Sequence, residues 1–333
     1  MKKLLVTLCI ISIAGNSATS QGLIFDANAF AKRKAIGISR DVLPASISFK
    51  KYTPMEYPQS GNTCVAQSFA TARTILAAKS LGWTDREKIT GLCFSPYYIY
   101  YRNKSDDDVN CNSGLVIETA AKDVLANGFA PIVDVEYPAY YPFTSEVLCV
   151  QKNGTSYPPS MTEDEQSAAN YKIDEIYRVT SVQQLKTALA GGMPVVLCLF
   201  TPASFQKLKT PLWIPQPTDL LDKEKMGHAV LAIGYDNIKY GGAIEIMNSW
   251  GDTWGDKGFV WVRYKDYLKW FFAGYAFYQA DNKSSNSIKE DSFKPQEKNN
   301  IPSSTVTIHR STGSNHYAST FNNAAFLKAF KPK

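Results

Sequence analysis

The stretch Asn248-Ser-Trp-Gly-Asp-Thr-Trp-Gly-Asp-Lys-Gly-Phe259 separates two runs of residues that favour β-strands. The runs are Ala243-Ile-Glu-Ile-Met247 and Phe259-Val-Trp-Val-Arg-Tyr264, and both are rich in β-branched and aromatic side chains. The glycines and polar residues between them predict a turn. The block is therefore either an ordinary turn after a strand or a turn that presents the Asn248 carboxamide for chemistry.

Outward from this block, the pattern changes from strands to helices toward the amino terminus. The segments 194–200 and 228–233 also favour strands, whereas apolar residues recur at helical spacing after Cys64, with a stop at Gly82. Two further helices are predicted, over residues 114–128 and 182–190. Helices first and strands later predict an α+β protein with two lobes.

Composition limits the class of protein. The chain has 333 residues, of which 44% are hydrophobic and 13% aromatic, so it can bury a sizeable core and is not wholly disordered. Its net charge of +6 is unevenly placed: Lys2 and Lys3 carry two of these charges and the segment after Ala280 carries four, which leaves residues 21–280 neutral. A neutral body argues against a nucleic-acid groove as the main function.

The first twenty residues predict an export signal. Lys2 and Lys3 precede an apolar run over residues 4–15, and small residues precede position 21. That run is too short to span a bilayer, with a membrane anchor as the alternative, and no later run approaches about 18 apolar residues. We therefore expect a mature protein without a membrane span that is secreted or periplasmic.

Changes in composition also predict the domain layout. The predicted segments are a signal peptide (1–20), a short extension (21–42), a folded unit (43–280), a polar linker (281–304) and a carboxy-terminal tail (305–333). The linker is rich in Ser, Asn, Lys and Glu, which predicts flexibility. The extension contains Lys32-Arg33-Lys34, a basic site at which it could be trimmed.

The cysteines provide a candidate nucleophile. Five of them follow the leader, and an odd number in an exported protein leaves at least one thiol free. Cys64 stands directly before a predicted helix, whose positive end favours a reactive thiolate; the alternative is a small buried hydrophobe. No CxxC pair and no Gly-rich phosphate loop are found, so we expect neither a metal nor a cofactor.

A nucleophilic cysteine needs a base, which is normally histidine. The chain has three histidines, and His309 and His316 lie in the polar tail, so His228 is the candidate. Asn248 could orient its ring without adding charge, and Trp250 could shield the resulting hydrogen bond from water. The alternatives are a structural histidine in a strand and an ordinary turn.

Three blocks taken together resemble the papain-like cysteine peptidases. They are Gln59-Ser-Gly-Asn-Thr-Cys64, Gly227-His228-Ala-Val and the block from Asn248 to Phe259, which is the most specific of the three. The resemblance covers roughly residues 43–280. It implies a helical lobe that carries the cysteine, an antiparallel strand lobe that carries the histidine, and a substrate cleft between them.

The resemblance also implies roles for individual residues. Cys64 would be the nucleophile, His228 its base and later its proton donor, and Asn248 the residue that orients His228. Gln59 would help the Cys64 backbone N–H to stabilise the oxyanion. The substrate would be a peptide or protein, cleaved without a cofactor and with no nucleic-acid partner. Oligomeric state is not predicted.

Two further residues would line the substrate site. Gly114 would lie along the substrate backbone, because a residue without a side chain permits close approach, and Trp250 would lie beside the reacting groups. Cys111 and Cys149 are a possible disulfide pair, and Cys93 and Cys198 are interpreted as buried thiols.

Two departures from the family pattern lead to further expectations. Gln59 and Cys64 are separated by four residues where the family has five, so Gln59 is expected to reach the oxyanion less easily. The extension over 21–42 is too short for the family's inhibitory prosegment, so any latency is expected to come from elsewhere. A catalytically inactive binding protein, or an acyl transferase or ligase on the same scaffold, are the alternatives to a peptidase.

Overall fold

The structure is a computed structural model. It describes residues 22–56, 58–59, 61–91, 93–108, 112–132, 162–221 and 227–280. The predicted leader, linker and tail and the possible Cys111–Cys149 pair lie outside these residues. None of the described helices has both the length and the apolar character that a membrane span requires.

The first half of the chain is mainly helical. Its helices are α1 (Ala27–Lys32), α2 (Cys64–Ser80), α3 (Arg86–Gly91), α4 (Pro96–Asn103), α5 (Ile117–Asn127) and α6 (Thr162–Ala168). Short strands β1 (Leu23–Ile24), β2 (Ser46–Ser48) and β3 (Leu115–Val116) lie among them. Single 3-10 turns occur at Lys50–Tyr52 and Ala169–Tyr171.

The second half supplies most of the sheet. Its strands are β4 (Glu175–Val179), β5 (Val195–Leu199), β6 (Leu212–Trp213), β7 (His228–Asp236), β8 (Ala243–Met247), β9 (Phe259–Arg263) and β10 (Phe271–Tyr278). Helices α7 (Val182–Ala190), α8 (Ala203–Gln206) and α9 (Tyr264–Trp270) and a 3-10 turn at Lys239–Gly241 connect them. The α+β class predicted from the sequence is confirmed.

Helix α2 is the centre of the helical half. The sequence predicts one apolar face, but the structure buries this helix on nearly all sides, because it packs against β7 on one side and α4 on the other. A helix in that position is expected to be mostly apolar or small all round, and the run from Cys64 to Ala78 is so apart from Gln67 and the buried Arg73. The helix ends at Ser80, before Gly82, whose φ of 67° suits glycine alone.

One eight-stranded sheet forms the core of the second half, in the order β4-β10-β5-β7-β8-β9-β6, with β2 on β7. All of these pairs are antiparallel except β6 with β9. Strand β7 is central and is buried over eight of its nine residues. Its first residue, His228, therefore has a fixed position at the end of the sheet that faces α2.

The extension before residue 43 is ordered, and we call residues 22–42 the N-terminal arm. It begins with β1, continues through α1 and then adds to the edge of β4. At that edge Arg178 donates its backbone N–H to the Lys34 carbonyl at 2.8 Å, and Ile36 donates its N–H to the Arg178 carbonyl at 3.0 Å. The arm is thus built into the fold along its length.

Candidate active site

Cys64 is the first residue of α2 and lies at the end of that helix that faces the sheet. Gly61, with a φ of 58°, turns the chain into the helix. The Cys64 side chain is fully buried. Backbone N–H groups of Ala229, on β7, and Gly22, in the arm, lie within hydrogen-bonding range of its sulfur. The sulfur of the helical half therefore lies one residue away from His228 along β7.

His228 and Asn248 are joined directly. The Nε2 atom of His228 lies 2.8 Å from the Oδ1 atom of Asn248, and both residues are buried. The backbone N–H of Ser249 also donates to Oδ1, at 2.9 Å, which fixes the orientation of the carboxamide. Because Oδ1 can only accept, Nε2 must carry the proton, and the Nδ1 atom of neutral His228 has a free lone pair.

Backbone geometry places Asn248 at this point. It follows β8 directly, and its N–H donates to the Gly258 carbonyl at 2.9 Å, which closes the loop between β8 and β9. Gly255 in this loop has a φ of 59°, and a Cβ there would lie 2.5 Å from the Phe259 carbonyl oxygen. A side chain at Gly255 would distort the loop, which explains the glycine at this position of the motif.

Trp250 covers the histidine. Its ring stacks on the His228 imidazole with 4.4 Å between centroids and an angle of 24°. Phe205 and Trp254 pack edge-on or tilted against Trp250 and against each other, at 5.0 to 5.8 Å. The indole therefore shields the His228–Asn248 hydrogen bond from one side and is itself held by an aromatic cluster.

Gln59 is anchored by a residue that the sequence did not single out. The Ser249 hydroxyl donates to the Oε1 atom of Gln59 at 2.6 Å, and the Ser249 carbonyl accepts from the Gln59 backbone N–H at 2.7 Å. The Nε2 group of Gln59 donates one hydrogen to the Gly61 carbonyl at 3.0 Å, in the loop before Cys64. The short loop and Ser249 thus hold the side chain in place.

The N-terminal arm lies across the site. Leu23 exchanges two backbone hydrogen bonds of 3.0 Å with Gly227, and Leu115 donates its N–H to the Gly22 carbonyl at 2.8 Å. One side of the arm therefore pairs with the residue before His228 and the other with β3. The arm thus lies between β3 and the residue that precedes His228.

Gly114 allows this close approach. Its φ is 71°, and a Cβ there would lie 2.3 Å from the Gly22 carbonyl oxygen. No residue with a side chain could remain at this position while an extended backbone lies against β3. Gly114 thus lies along a bound backbone, which here is the arm of the same chain.

Burial changes the electrostatics of Cys64. Burial raises the pKa of the Cys64 thiol from 9.0 to about 11, and the N–H groups of Ala229 and Gly22 only partly oppose this shift. The sequence predicted that the start of the helix would favour a thiolate. Desolvation outweighs that effect in the covered site, and Cys64 is a neutral thiol at neutral pH.

The base is neutral as well. Burial lowers the pKa of His228 from 6.5 to about 4, although the hydrogen bond to Asn248 acts in the opposite direction. Within the described part of the chain, the Nδ1 atom of His228 has no hydrogen-bond partner. Cys64 and His228 are therefore neighbours that are not joined by a hydrogen bond while the arm is in place.

The other cysteines described are free and buried. Cys93 and Cys198 form no disulfide, and burial raises the pKa of both thiols, that of Cys93 to about 12.

The described residues contain no group of three or more His, Cys, Asp or Glu side chains that could hold a metal. Asp108, in an acidic stretch, is buried and accepts a hydrogen bond from the Tyr100 hydroxyl at 2.7 Å.

A family model described as "Papain family cysteine protease" matches residues 101–280. The chain belongs to this family. The match includes His228 and Asn248 but begins after Cys64. A papain-family cysteine peptidase is a hydrolase, so the enzyme class predicted from the sequence is confirmed.

Known relatives are distant. An uncharacterised peptidase C1-like protein of Acanthamoeba polyphaga mimivirus is 27% identical over 181 residues, which are 51% of this chain and 53% of that protein. A cathepsin L-like peptidase of Aedes aegypti is 38% identical over 81 residues, 23% of each chain. The chain thus spans about half of the length of the first of these curated relatives and about a quarter of the second.

Solved structures share the fold. Xylellain, a cysteine protease from Xylella fastidiosa, has a TM-score of 0.59 and 23% identity, with 79% of this chain and 97% of that chain covered. A procathepsin B of Trypanosoma congolense has a TM-score of 0.58 and 14% identity, with 79% of this chain and 87% of that chain covered. At these identities the comparison supports the papain-like fold.

Sequence reasoning missed two parts of the site. The arm was interpreted as a short extension, although the apolar run Leu23-Ile-Phe25 within it was a signal for burial. Ser249 stood inside the most specific motif but was assigned to a turn. The possible trimming site was also interpreted from charge alone, and Arg33 within it turns out to be in a buried ion pair with Glu118.

Proposed function

We propose that this chain is a cysteine peptidase that forms an acyl-enzyme on Cys64, and that its N-terminal arm keeps it latent. The observation that carries this proposal is the 2.8 Å contact between Nε2 of His228 and Oδ1 of Asn248. The Asn248 carboxamide accepts from Nε2, so the nitrogen that remains able to take a proton is Nδ1, on a residue adjacent to the N–H that contacts the Cys64 sulfur.

In the proposed reaction, Nδ1 of His228 takes the proton of the Cys64 thiol and the sulfur attacks the peptide carbonyl carbon. The Cys64 backbone N–H and the Gln59 amide stabilise the resulting oxyanion. The C–N bond breaks as His228 returns the proton to the leaving amine. Water then attacks the thioester, with His228 as base, and releases the acid and the free thiol.

Asn248 and Trp250 would act on the imidazole in this scheme. The carboxamide holds the tautomer without adding a negative charge, and the stacked indole keeps water from the Nε2–Oδ1 hydrogen bond. Gly114 would receive the substrate backbone along the path that the arm now occupies.

Latency follows from the position of the arm. The Gly22 N–H points at the sulfur, so the arm presents a donor where a substrate would present a carbonyl carbon. With the arm in place, burial also keeps the Cys64 thiol protonated at neutral pH. Departure of the arm would let water reach Cys64 and would let its side chain turn toward Nδ1.

We further propose the domain layout and export expected from the sequence. Residues 1–20 would be removed as a signal peptide, residues 43–280 would form the peptidase domain, and the segments 281–304 and 305–333 would be a linker and a tail of a secreted or periplasmic protein. Cleavage after Ser20 would leave a single residue, Gln21, before Gly22. The mature amino terminus would then lie next to the nucleophile.

The experiment uses the full chain with a recognition site for an unrelated protease inserted between Asp41 and Val42, which are exposed. After the arm is cut and diluted away, an unfolded protein should be cleaved. Cys64→Ala should abolish cleavage without changing the fold, whereas Cys93→Ala, the matched loss of a buried thiol, should not.

Iodoacetamide labelling near neutral pH gives the second readout. In the cut protein Cys64 should react faster than a model thiol, and His228→Gln should slow it. Cleavage that survives Cys64→Ala would remove Cys64 from the mechanism. A slow thiol and no cleavage after the arm has left would favour a binding protein instead, and amide products formed with an added amine would indicate acyl transfer.

A further inference from the structure

Glu118 is a buried carboxylate that meets the arm. It lies in the first turn of α5, directly after β3, and is 3% exposed. Arg33 of the arm binds it with two nitrogens: Nη2 lies 2.7 Å from Oε2, and Nε lies 3.2 Å from Oε1. A third N–H, on Nη1, donates to the Ile176 carbonyl at 3.1 Å.

This site has the geometry of a guanidinium receptor. The carboxylate and the carbonyl together accept three of the five N–H groups that a guanidinium presents in one plane. The Arg33 guanidinium also lies over the Tyr275 ring, with 5.6 Å to its centroid. A lysine ammonium is a point donor and cannot make the paired contact with both carboxylate oxygens in this way.

The receptor lies close to the nucleophile. Tyr275, whose ring lies under the Arg33 guanidinium, pairs with Val196 on β5. Two residues further along β5, Cys198 pairs with Ala229, whose N–H contacts the Cys64 sulfur. Glu118 also lies two residues after β3, the strand against which the arm backbone lies. The carboxylate therefore lies beside the path that the arm backbone takes along β3.

Removal of the arm changes the state of Glu118. While Arg33 is present, the charge is paired and desolvated. Without Arg33, the carboxylate remains between α5 and the sheet with no cation, and an unpaired charge in such a position is costly. A basic side chain that enters the cleft would relieve this cost, whereas an apolar one would not.

We propose that Glu118 is a specificity-determining residue that, once the arm has left, recognises an arginine side chain of the peptide substrate. This inference rests on the proposed peptidase function. It adds a substrate class to that function: peptides with arginine at one fixed position relative to the scissile bond. The arm holds the same pocket with its own arginine until it is released.

The test uses the arm-cut full chain and a peptide set in which arginine, lysine, glutamine or norleucine is placed at each position in turn. One position should favour arginine over norleucine in kcat/KM by at least about tenfold, as expected for hydrogen bonds to a charged group. Glu118→Gln should remove this preference.

Two variants act as controls. Asp123→Asn breaks another part-buried ion pair on α5, the one with Arg102, and should keep the arginine preference. Glu118→Asp retains the negative charge and should keep part of the arginine preference. Thermal unfolding of each variant reports whether that variant folds. Equal turnover of arginine and norleucine peptides at every position, or an arginine preference that survives Glu118→Gln, would overturn the inference.

Peptide binding separates this inference from the proposed function. Cut protein carrying Cys64→Ala should bind the arginine peptide more tightly than its norleucine analogue, and Glu118→Gln should equalise the two. If cleavage depends on Cys64 but neither readout depends on Glu118, the peptidase proposal stands and the specificity inference fails. If no Cys64-dependent cleavage occurs, the peptidase proposal fails, and the binding comparison still decides whether the pocket selects arginine.

Discussion

At the scale of single residues, the site is held in a neutral form. Burial raises the pKa of Cys64 and lowers that of His228, so at neutral pH the thiol keeps its proton and the imidazole is uncharged. The geometry that selects Nδ1 as the base is nevertheless already present. The difference between the covered and the reactive site is therefore chiefly one of solvation.

The shifted His228 predicts a pH dependence of stability. Its pKa in the folded chain is about 4 instead of 6.5, so below about pH 6.5 the unfolded chain binds a proton that the folded chain does not. Stability from this group is present above pH 6.5 and is lost as the pH falls toward 4, by about 3 kcal/mol in all.

Denaturant unfolding at a series of pH values between about 4 and 7.5 measures this loss. His228→Gln should remove that part of the slope. His309→Gln, which changes a histidine in the predicted tail, should leave the slope as it is. An unchanged slope in the His228 variant would show that other groups cause the dependence.

Ser249 is predicted to act through Gln59. Ser249→Ala removes the donor to Oε1, so the Gln59 amide loses its fixed position and kcat of the cut enzyme should fall by about tenfold with little change in KM. Ser249→Thr retains a hydroxyl and should restore most of the activity.

A double variant that combines Ser249→Ala with Gln59→Ala tests whether Ser249 acts through Gln59. If Ser249 acts only by holding Gln59, then Ser249→Ala should cost little in a chain that already carries Gln59→Ala. Additive losses would assign Ser249 a separate role, and an unchanged kcat in Ser249→Ala would assign it none.

At the scale of elements, much of the secondary structure was predictable. The spacing of apolar residues predicted α2 and the helix over 182–190, and β-branched runs predicted β5, β7, β8 and β9, because those segments follow one period over their whole length. The helix predicted over 114–128 begins only at Ile117. Leu115 and Val116 instead form β3, which pairs with the arm, and Gly114 before them has a φ of 71°.

The arm could not be predicted in the same way. Strands β1 and β3 have two residues each, too few for a periodic pattern, and their pairing joins segments that are about ninety residues apart in sequence. The ion pair between Arg33 and Glu118 likewise depends on a contact that no local pattern encodes. Motif spacing, in contrast, indicated Cys64, His228 and Asn248 without any knowledge of these contacts.

A proline in β1 should open the site. Leu23→Pro removes the N–H that donates to the Gly227 carbonyl, so the arm loses one of its bonds to the sheet and should leave Cys64 exposed for a larger fraction of the time. Iodoacetamide labelling of Cys64 in the uncut chain should be faster by about tenfold, equivalent to about 1.4 kcal/mol.

Val42→Pro is the matched control. Val42 lies at the end of the same arm and is fully exposed, outside the strand pairing, so labelling of Cys64 should not change in this variant. Equal labelling rates in Leu23→Pro and in the unaltered chain would show that β1 does not control access to the sulfur.

At the scale of the whole molecule, the sheet and α2 together place the reacting groups. The sulfur comes from the helical half, the imidazole and the carboxamide come from the sheet, and Gln59 is tied by Ser249 across the boundary between them. The resemblance to the family implied that the helical half would carry the cysteine and the sheet would carry the histidine. It did not imply that the arm would make backbone contacts with both sides at once, through Leu115 and Gly227.

Because the arm contacts both Leu115 and Gly227, a substrate that binds between them would have to displace it. Because the arm belongs to the same chain, the cleft experiences it at an effective concentration on the order of millimolar, whatever the concentration of the protein. A peptide would gain occupancy only where its concentration relative to its own Kd exceeds that effective concentration relative to the Kd of the arm. Once the chain is cut between the arm and residue 43, the arm can dissociate and be diluted. A single cut thus converts a block that does not depend on protein concentration into one that weakens on dilution.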